Sequence, residues 1–421
     1  MNNAKTTPLL TVIVPVYNAS QHLTRMMDGL TSQKFSEMEV IFVDDGSTDK
    51  SLQRIRGFEE KFDFVKVYAM SKNSGIAAAR NLGIRNANGI YLMFHDADDW
   101  LESNSLSELK NHIIEKEYPD LILFSHSVYD TKLNFIRSNK KRIDALPTAL
   151  KGTMAYQAAC NGLISSSVWD KAFKKSTWDR KGLKFDDKLY IEDFPLVPYV
   201  CLKMETITHV SSARYCYFLN GEGLTKTISD KLVSAIYKGL ASLQSKLKNE
   251  DNYYDLREDF IRYAFKAFRL NFFYSDRNSR FTNEQVIEYA RLFQVFCKEH
   301  SLSFNHVINN DNALRLVRGL LLERKIRKIT AADHLTISLS GIEEFLDHYA
   351  VIVDQFQKSS SISGDVNLRQ KEWAQKVKKL KEQNKRKRQK IKQLEENIKN
   401  ITVFGVIKRN IFGMLTRDQS N

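Results

Sequence analysis

Between residues 9 and 99, continuous apolar runs alternate with amphipathic segments in a regular order. Runs rich in β-branched residues are typical of strands that are buried on both faces, and the segments between them carry apolar residues at helical spacing, as at Leu23, Met26, Met27 and Leu30. This alternation predicts an α/β fold in which crossover helices connect a mostly parallel, Rossmann-like sheet. The predicted strands are 9–17, 39–47, 65–70 and 89–99, and an Ala-rich helix is predicted at 75–87.

Two acidic clusters stand where predicted strands end. Asp44 and Asp45 follow the second strand, and 96–99 follows the fourth. Ligands of parallel sheets bind beyond the carboxyl ends of the strands, and an Asp-x-Asp at such an end brings two oxygen ligands within reach of Mg²⁺ or Mn²⁺. Each cluster also fits local structure alone, as an Asp-Gly turn or as a helix N-cap.

A third acidic pair, Glu192 and Asp193, precedes an apolar helix. A carboxylate in this position can act as a general base if it faces a bound hydroxyl group. An alternative is a solvated helix start that the helix dipole stabilises.

The second half of the chain differs in pattern. Residues 226–357 read as a helical domain, and 358–365 is a Ser/Gly linker. Residues 366–421 continue as a coiled-coil seam with Asn384 at one core position, which favours a homodimer over a trimer. The last segment, 401–417, reads as an amphipathic interfacial helix.

The net charge of +14 is concentrated near the C-terminus, where 369–399 carries 13 Lys/Arg against 4 Asp/Glu. Such a tract fits a membrane surface or an anionic polymer. Nucleic acid is not expected, because Trp373 is the tract's one aromatic residue and no base-reading motif accompanies it. The four cysteines form no CxxC pair, and neither a signal peptide nor an 18-residue apolar run is recognisable. We therefore expect a cytoplasmic protein, peripheral at the inner face of the plasma membrane.

Five motifs in order closely resemble glycosyltransferase family 2, the inverting enzymes of the GT-A fold. They are PVYN (15–18), VDDGSTD (43–49), KNSGIAAARNLGI (72–84), DADD (96–99) and YIED (190–193). The resemblance covers about the first 220 residues and implies a GT-A catalytic domain at 1–225. It further implies a nucleotide-sugar donor, by family habit a UDP-sugar, and a glycan or anionic polymer as acceptor.

On the nucleotide side, the resemblance implies that Pro15 and Tyr17 line the base pocket. Asp45 would accept the uracil N3–H, with Asp44 beside it. The other nucleotide-binding positions implied are Asn18, Asn73 and Gly75.

On the sugar side, the resemblance places Arg80 near the diphosphate and makes Asp98 the main ligand of Mn²⁺ or Mg²⁺. Asp96 would contact the sugar or ribose. Asp193 would be the catalytic base, with Glu192 beside it. Two other readings remain open at this point: a polyanion- or nucleic-acid-binding protein that uses the basic tail, and an inactive transferase-like scaffold.

Overall fold

The computed structural model describes residues 7–219, 230–276, 282–302, 310 and 312. Its strands are β1 Leu10–Val16, β2 Met38–Asp44, β3 Val65–Ala69, β4 Tyr91–Phe94, β5 Trp100–Leu101, β6 Leu121–Tyr129, β7 Phe135–Ser138, β8 Lys171–Lys174 and β9 Ile207–Phe218. Its helices are α1 Leu23–Thr31, α2 Ser51–Lys61, α3 Ile76–Asn86, α4 Ser105–Glu115, α5 Lys140–Asp144, α6 Gly152–Asn161, α7 Lys175–Arg180, α8 Asp193–Lys203, α9 Asp230–Leu247, α10 Tyr253–Asp276 and α11 Asn283–Glu299.

The first half of the sheet has the order β3-β2-β1-β4, and all of its strands are parallel. Every residue of β1, β2 and β4 is buried, because helices cover both faces of the sheet. The register pairs Val16 with Asp44 and Ile13 with Phe94, so the carboxyl ends of β2 and β4 meet at one edge. The four strands and the α3 helix predicted from the sequence are confirmed.

The second half of the sheet is mixed rather than mostly parallel. Strand β8 lies between β4 and β6 and runs antiparallel to both, while β9 runs parallel to β6 and antiparallel to β5. Because β4 and β6 are both antiparallel to β8, they run in the same direction. Their carboxyl ends therefore lie at the same edge of the sheet as the acidic clusters.

Helices α9, α10 and α11 lie in the first part of the predicted helical domain at 226–357, and most of that domain after residue 302 lies outside the described part of the chain. Helix α10 packs against α8: the Tyr263 hydroxyl donates a hydrogen bond to the Phe194 carbonyl (2.7 Å), and the two rings stack with centroids 5.0 Å apart. The predicted boundary at 225/226 stays a prediction. The predicted linker, coiled coil and amphipathic end lie outside the described residues. Within the described ranges, none of the helices is long and apolar enough to cross a bilayer.

Candidate functional site

The turn after β2 is fitted closely against the loop that precedes α3. The Asp45 carboxylate accepts hydrogen bonds from the backbone N–H groups of Ser74 (2.7 Å) and Gly75 (2.8 Å). Gly46 has a φ of +71°, and a Cβ atom there would lie 2.7 Å from the Asn73 nitrogen. Glycine is therefore required at this contact. The predicted residues Asp45, Asn73 and Gly75 thus form one unit, in which both Asp45 oxygens anchor the loop.

The end of β1 contacts the same turn. Asn18 adopts the left-handed conformation (φ 49°), and its side-chain oxygen accepts a hydrogen bond from the Thr48 N–H (2.8 Å). Tyr17 beside it has 49% of its surface exposed, so its ring is accessible to a ligand, whereas Pro15 is buried within β1. Asp44 is also buried, and its Oδ1 atom has no hydrogen-bond partner among the described residues.

Within the acidic motif after β4, Asp99 has a structural position. Its two oxygens accept hydrogen bonds from the Tyr215 hydroxyl and from the Phe218 N–H, both at 2.7 Å. Burial, reinforced by the charges of Asp98 and Asp96, raises the pKa of Asp99 well above its usual range. Asp99 therefore ties the motif to β9. The sequence alone did not predict the contact of Tyr215 with Asp99, since a buried tyrosine in a strand resembles any core aromatic residue.

Asp98 is held through its backbone by an arginine that the sequence analysis missed. The Arg25 side chain donates a hydrogen bond to the Asp98 carbonyl (2.6 Å), and its guanidinium lies over the rings of Trp100 (5.0 Å) and Phe218 (4.2 Å). The Asp98 side chain itself is partly exposed. Arg25 gave no signal in the sequence because a charged residue on an amphipathic helix normally faces solvent.

Arg80 joins two of the predicted motifs. It is 2% exposed; one terminal nitrogen donates to Asp96 Oδ1 (2.9 Å) and the other to Glu192 Oε1. Burial opposes the charged guanidinium, but the charges of Glu192 and Asp96 outweigh burial and raise the pKa of Arg80. The DADD and YIED motifs are therefore brought together by one buried cation.

Asp193 is the first residue of α8 and remains partly exposed, whereas Glu192 is buried. Burial raises the pKa of both carboxyl groups; the charge of Arg80 lowers it in each, and neighbouring carboxylates raise it further. A raised pKa makes a carboxylate a stronger base near neutral pH. Because Glu192 is engaged by Arg80, Asp193 is the member of the pair that can meet a substrate.

The donor set at the acidic motif suits a hard cation that is shared with a phosphate ligand. Among the described residues, no three His, Cys, Asp or Glu side chains cluster to enclose a metal ion. Asp99 has both oxygens engaged, which leaves Asp98 and Asp96 as carboxylate donors. Magnesium commonly takes one or two carboxylates together with substrate phosphates, so these residues fit Mg²⁺ or Mn²⁺ bound jointly with a diphosphate.

The part of the chain that carries the acidic motif matches a known protein family. Residues 11–173 match the model of Glycosyl transferase family 2. Over these residues the chain is similar to the family 2 glycosyltransferases. The matched residues include the turn after β2 and the DADD motif, and they end before Glu192, Asp193 and β9.

Curated glycosyltransferases are similar to this chain. It is 27% identical to glycosyltransferase GlyA of Streptococcus pneumoniae over 252 residues. This alignment covers 57% of this chain and 35% of GlyA. Over 277 residues it is 25% identical to cholesterol galactosyltransferase of Borreliella burgdorferi, covering 63% of this chain and 73% of that protein. The chain thus spans only about a third of the length of GlyA.

A third relative is TarS of Staphylococcus aureus, a poly(ribitol-phosphate) β-N-acetylglucosaminyltransferase, which is 34% identical over 115 residues that cover 27% of this chain and 20% of TarS. The crystal structure of TarS 1–349 in complex with UDP-GlcNAc superposes with a TM-score of 0.56 at 19% identity, covering 76% of this chain and 91% of that one. This similarity confirms the GT-A-like α/β fold.

Proposed function

We propose that the chain is an inverting glycosyltransferase that moves a sugar from a nucleotide-sugar, by preference a UDP-sugar, to a hydroxyl group of a cell-surface glycan. Buried Arg80, which holds Asp96 against Glu192, carries the proposal because it places Asp193 beside the acidic motif. The donor class is supported by the family 2 match and by the UDP-GlcNAc complex of TarS. The polymer and lipid acceptors named for TarS and the cholesterol galactosyltransferase support a teichoic acid, capsular polysaccharide or lipid-linked acceptor.

In this mechanism Asp193 takes the proton from the acceptor hydroxyl while that oxygen attacks C1 of the sugar. Attack comes from the face opposite the diphosphate, so the configuration at C1 inverts. The partial exposure of Asp193 and its raised pKa support this role. Glu192 acts as a positioning residue through its contact with Arg80.

For the donor, we assign Asp98 and Asp96 to a divalent cation. When bound, Mn²⁺ or Mg²⁺ would neutralise the charge that grows on the leaving diphosphate. Arg80, which the resemblance places near the diphosphate, would support this site through its contacts with Asp96 and Glu192.

The nucleotide base would lie against the exposed ring of Tyr17 and the end of β1 at Pro15. Asp44 and Asp45 are the proposed acceptors for its N–H group. The buried, unpartnered Oδ1 of Asp44 supports this assignment, since a buried acceptor gains from a partner. Asn18, Asn73 and Gly75 would shape the loops around the base.

We place the reaction in the cytoplasm, at the inner face of the plasma membrane. All four cysteines are free thiols, as a reducing compartment would keep them. Homo-oligomerisation through the coiled coil, dimeric by preference, and membrane contact through the amphipathic end remain proposals from the sequence.

The test combines donor binding with turnover. The purified full chain is screened against UDP-, GDP-, CDP- and TDP-sugars with and without Mn²⁺ or Mg²⁺, by thermal shift and by donor hydrolysis. We expect Asp193→Asn to bind the donor as the wild type does and to lose about 10²–10⁴-fold in turnover, the usual contribution of a general base.

Asp187→Asn is the matched control, because Asp187 is an exposed aspartate on the segment before α8. Wild-type turnover in Asp193→Asn, or an equal loss in the control, would remove Asp193 as the base. Donor binding by the wild-type chain without turnover would instead indicate an inactive scaffold.

A further inference from the structure

Strands β6 and β7 form a hairpin, and hydrogen bonds to one aspartate hold its turn. The Asp130 carboxylate accepts hydrogen bonds from the N–H groups of Lys132 (2.8 Å) and Asn134 (2.9 Å), and Leu133 takes a left-handed conformation (φ 61°). Every residue from 131 to 138 is nonetheless exposed. These hydrogen bonds define the backbone of the turn, and the side chains of the hairpin lie outside the core.

The exposed side chains of this hairpin combine large apolar groups with cations. Leu133, Phe135 and Ile136 are 50%, 60% and 48% exposed. Three exposed cations accompany them: Lys132 and Arg137 on the hairpin, and Lys141 on α5. In the described part of the chain, none of the three has a carboxylate within ion-pair distance. We name these six side chains the hairpin surface. Leaving three large apolar groups in water is unfavourable, so the hairpin surface is suited to a partner.

The hairpin surface lies at the edge of the sheet that carries the acidic motif. Strand β9 pairs along one edge of β6 from Leu121 to Tyr129, so β7 must pair with the other edge, on the side of β8 and β4. Two ring contacts connect the hairpin to the acidic motif. The ring centroids of Trp100 and Tyr129 are 5.0 Å apart, and those of Tyr129 and Phe135 are 6.0 Å apart. Trp100 directly follows Asp99. A partner on the hairpin surface is therefore close to the sugar-transfer site.

We propose that the hairpin surface docks on an anionic lipid membrane, with the apolar side chains in the interface and the cations against the headgroups. Apolar side chains ringed by lysine and arginine are typical of interfacial membrane binding. A soluble anionic polymer would explain the cations but leaves the three apolar groups in water. The inference goes beyond the proposed sugar transfer, and its test needs no catalytic activity.

The experiment measures sedimentation of the full chain with vesicles of phosphatidylglycerol and phosphatidylcholine, and with vesicles of phosphatidylcholine alone. We expect binding to the anionic vesicles only. Replacing the three cations (Lys132→Gln, Arg137→Gln, Lys141→Gln) is expected to weaken binding by about 100-fold, because each cation near such a surface contributes about fivefold. Replacing the apolar groups (Phe135→Ser, Ile136→Ser) is expected to weaken it by a similar factor.

The matched controls carry the same kinds of change on other exposed positions: Lys50→Gln, Lys61→Gln and Lys248→Gln for charge, and Ile114→Ser with Tyr254→Ser for apolar area. They should bind as the wild type does. If the hairpin variants also bind as the wild type does, another part of the chain, such as the basic tail, carries membrane binding and the proposal is wrong. The same variants are also tested for binding to a soluble polyanion. If the hairpin variants lose polyanion binding but still bind vesicles as the wild type does, the proposal is equally wrong.

A second measurement reports insertion directly. Phe135→Trp places a fluorophore at the hairpin tip, where anionic vesicles should shift its emission to the blue and brominated acyl chains should quench it. Tyr254→Trp, at a position that is 85% exposed on α10, is the control and should show neither effect. Identical responses at the two positions would contradict docking through the hairpin surface.

Discussion

Replacing Arg80 with methionine tests whether one buried cation balances the carboxylates of the site. Arg80 is 2% exposed and binds Asp96 and Glu192, with Asp193 also within electrostatic reach. Breaking a buried ion pair by removing one partner typically costs about 3–5 kcal/mol. We expect the loss in the free energy of unfolding to approach this size as the pH rises above neutral, because the remaining carboxylates become increasingly charged.

The loss should depend on pH, and its sign follows from proton binding. An adjacent arginine typically lowers a carboxyl pKa by about 1–3 units, so Arg80→Met raises the folded-state pKa of Glu192 and Asp193 further. The folded variant then binds more protons than the unfolded chain, and its stability falls as the pH rises from the unfolded pKa through the folded pKa. The loss should therefore be smaller by about 1–3 kcal/mol at about pH 5.5 than at about pH 8.

Urea unfolding at the two pH values measures this difference. Arg85→Met, an exposed arginine on the same helix, is the control and should change stability by less than about 0.5 kcal/mol. Arg80→Lys keeps the charge but loses the planar fork, and it should fall between the wild type and Arg80→Met. An equal loss for Arg80→Met at both pH values would refute the argument, because lost packing alone has no such pH dependence.

Two further substitutions test the contacts that shape the site, both by urea unfolding. Gly46→Ala should destabilise by about 1–3 kcal/mol, since it combines a positive φ with a clash against the Asn73 backbone. Gly57→Ala, on a helix with open space around it, should instead be neutral or stabilise by up to about 1 kcal/mol, and a similar effect of both changes would contradict the steric reason. Tyr215→Phe should cost about 1–3 kcal/mol by leaving a buried Asp99 oxygen without its donor, and an unchanged stability would show that this hydrogen bond is dispensable.

The sequence predicted the parallel half of the sheet because its physical signal is strong there. Strands buried on both faces must be continuously apolar, as β1 and β2 are, and their carboxyl ends locate the acidic clusters. The sequence did not predict the mixed half. Strand β8 has four residues with a lysine at each end, and buried Lys171 donates a hydrogen bond to Asp170 (2.6 Å). A lysine normally indicates an exposed position.

The contacts within the site depend on pairs that are far apart in the chain. Arg80 and Glu192 are separated by 112 residues, and Asp99 and Tyr215 by 116. Neither periodicity nor composition carries information about which distant residues meet. The acidic motifs were found from local spacing and resemblance, whereas the contacts of Arg80 with Asp96 and Glu192 were not predicted. The burial of Arg80 between carboxylates becomes visible only in three dimensions.

The position of β9 shows that the folded domain extends beyond the residues that match the family model. The family 2 match ends at Phe173, inside β8, while β9 pairs with all nine residues of β6 and carries β5 on its other edge. A fragment cut at that boundary would expose an unpaired edge on β6 and leave buried Asp99 without either of its donors. Open strand edges recruit other chains, so we expect such a fragment to aggregate. The smallest autonomous piece of this protein must run at least to Phe218.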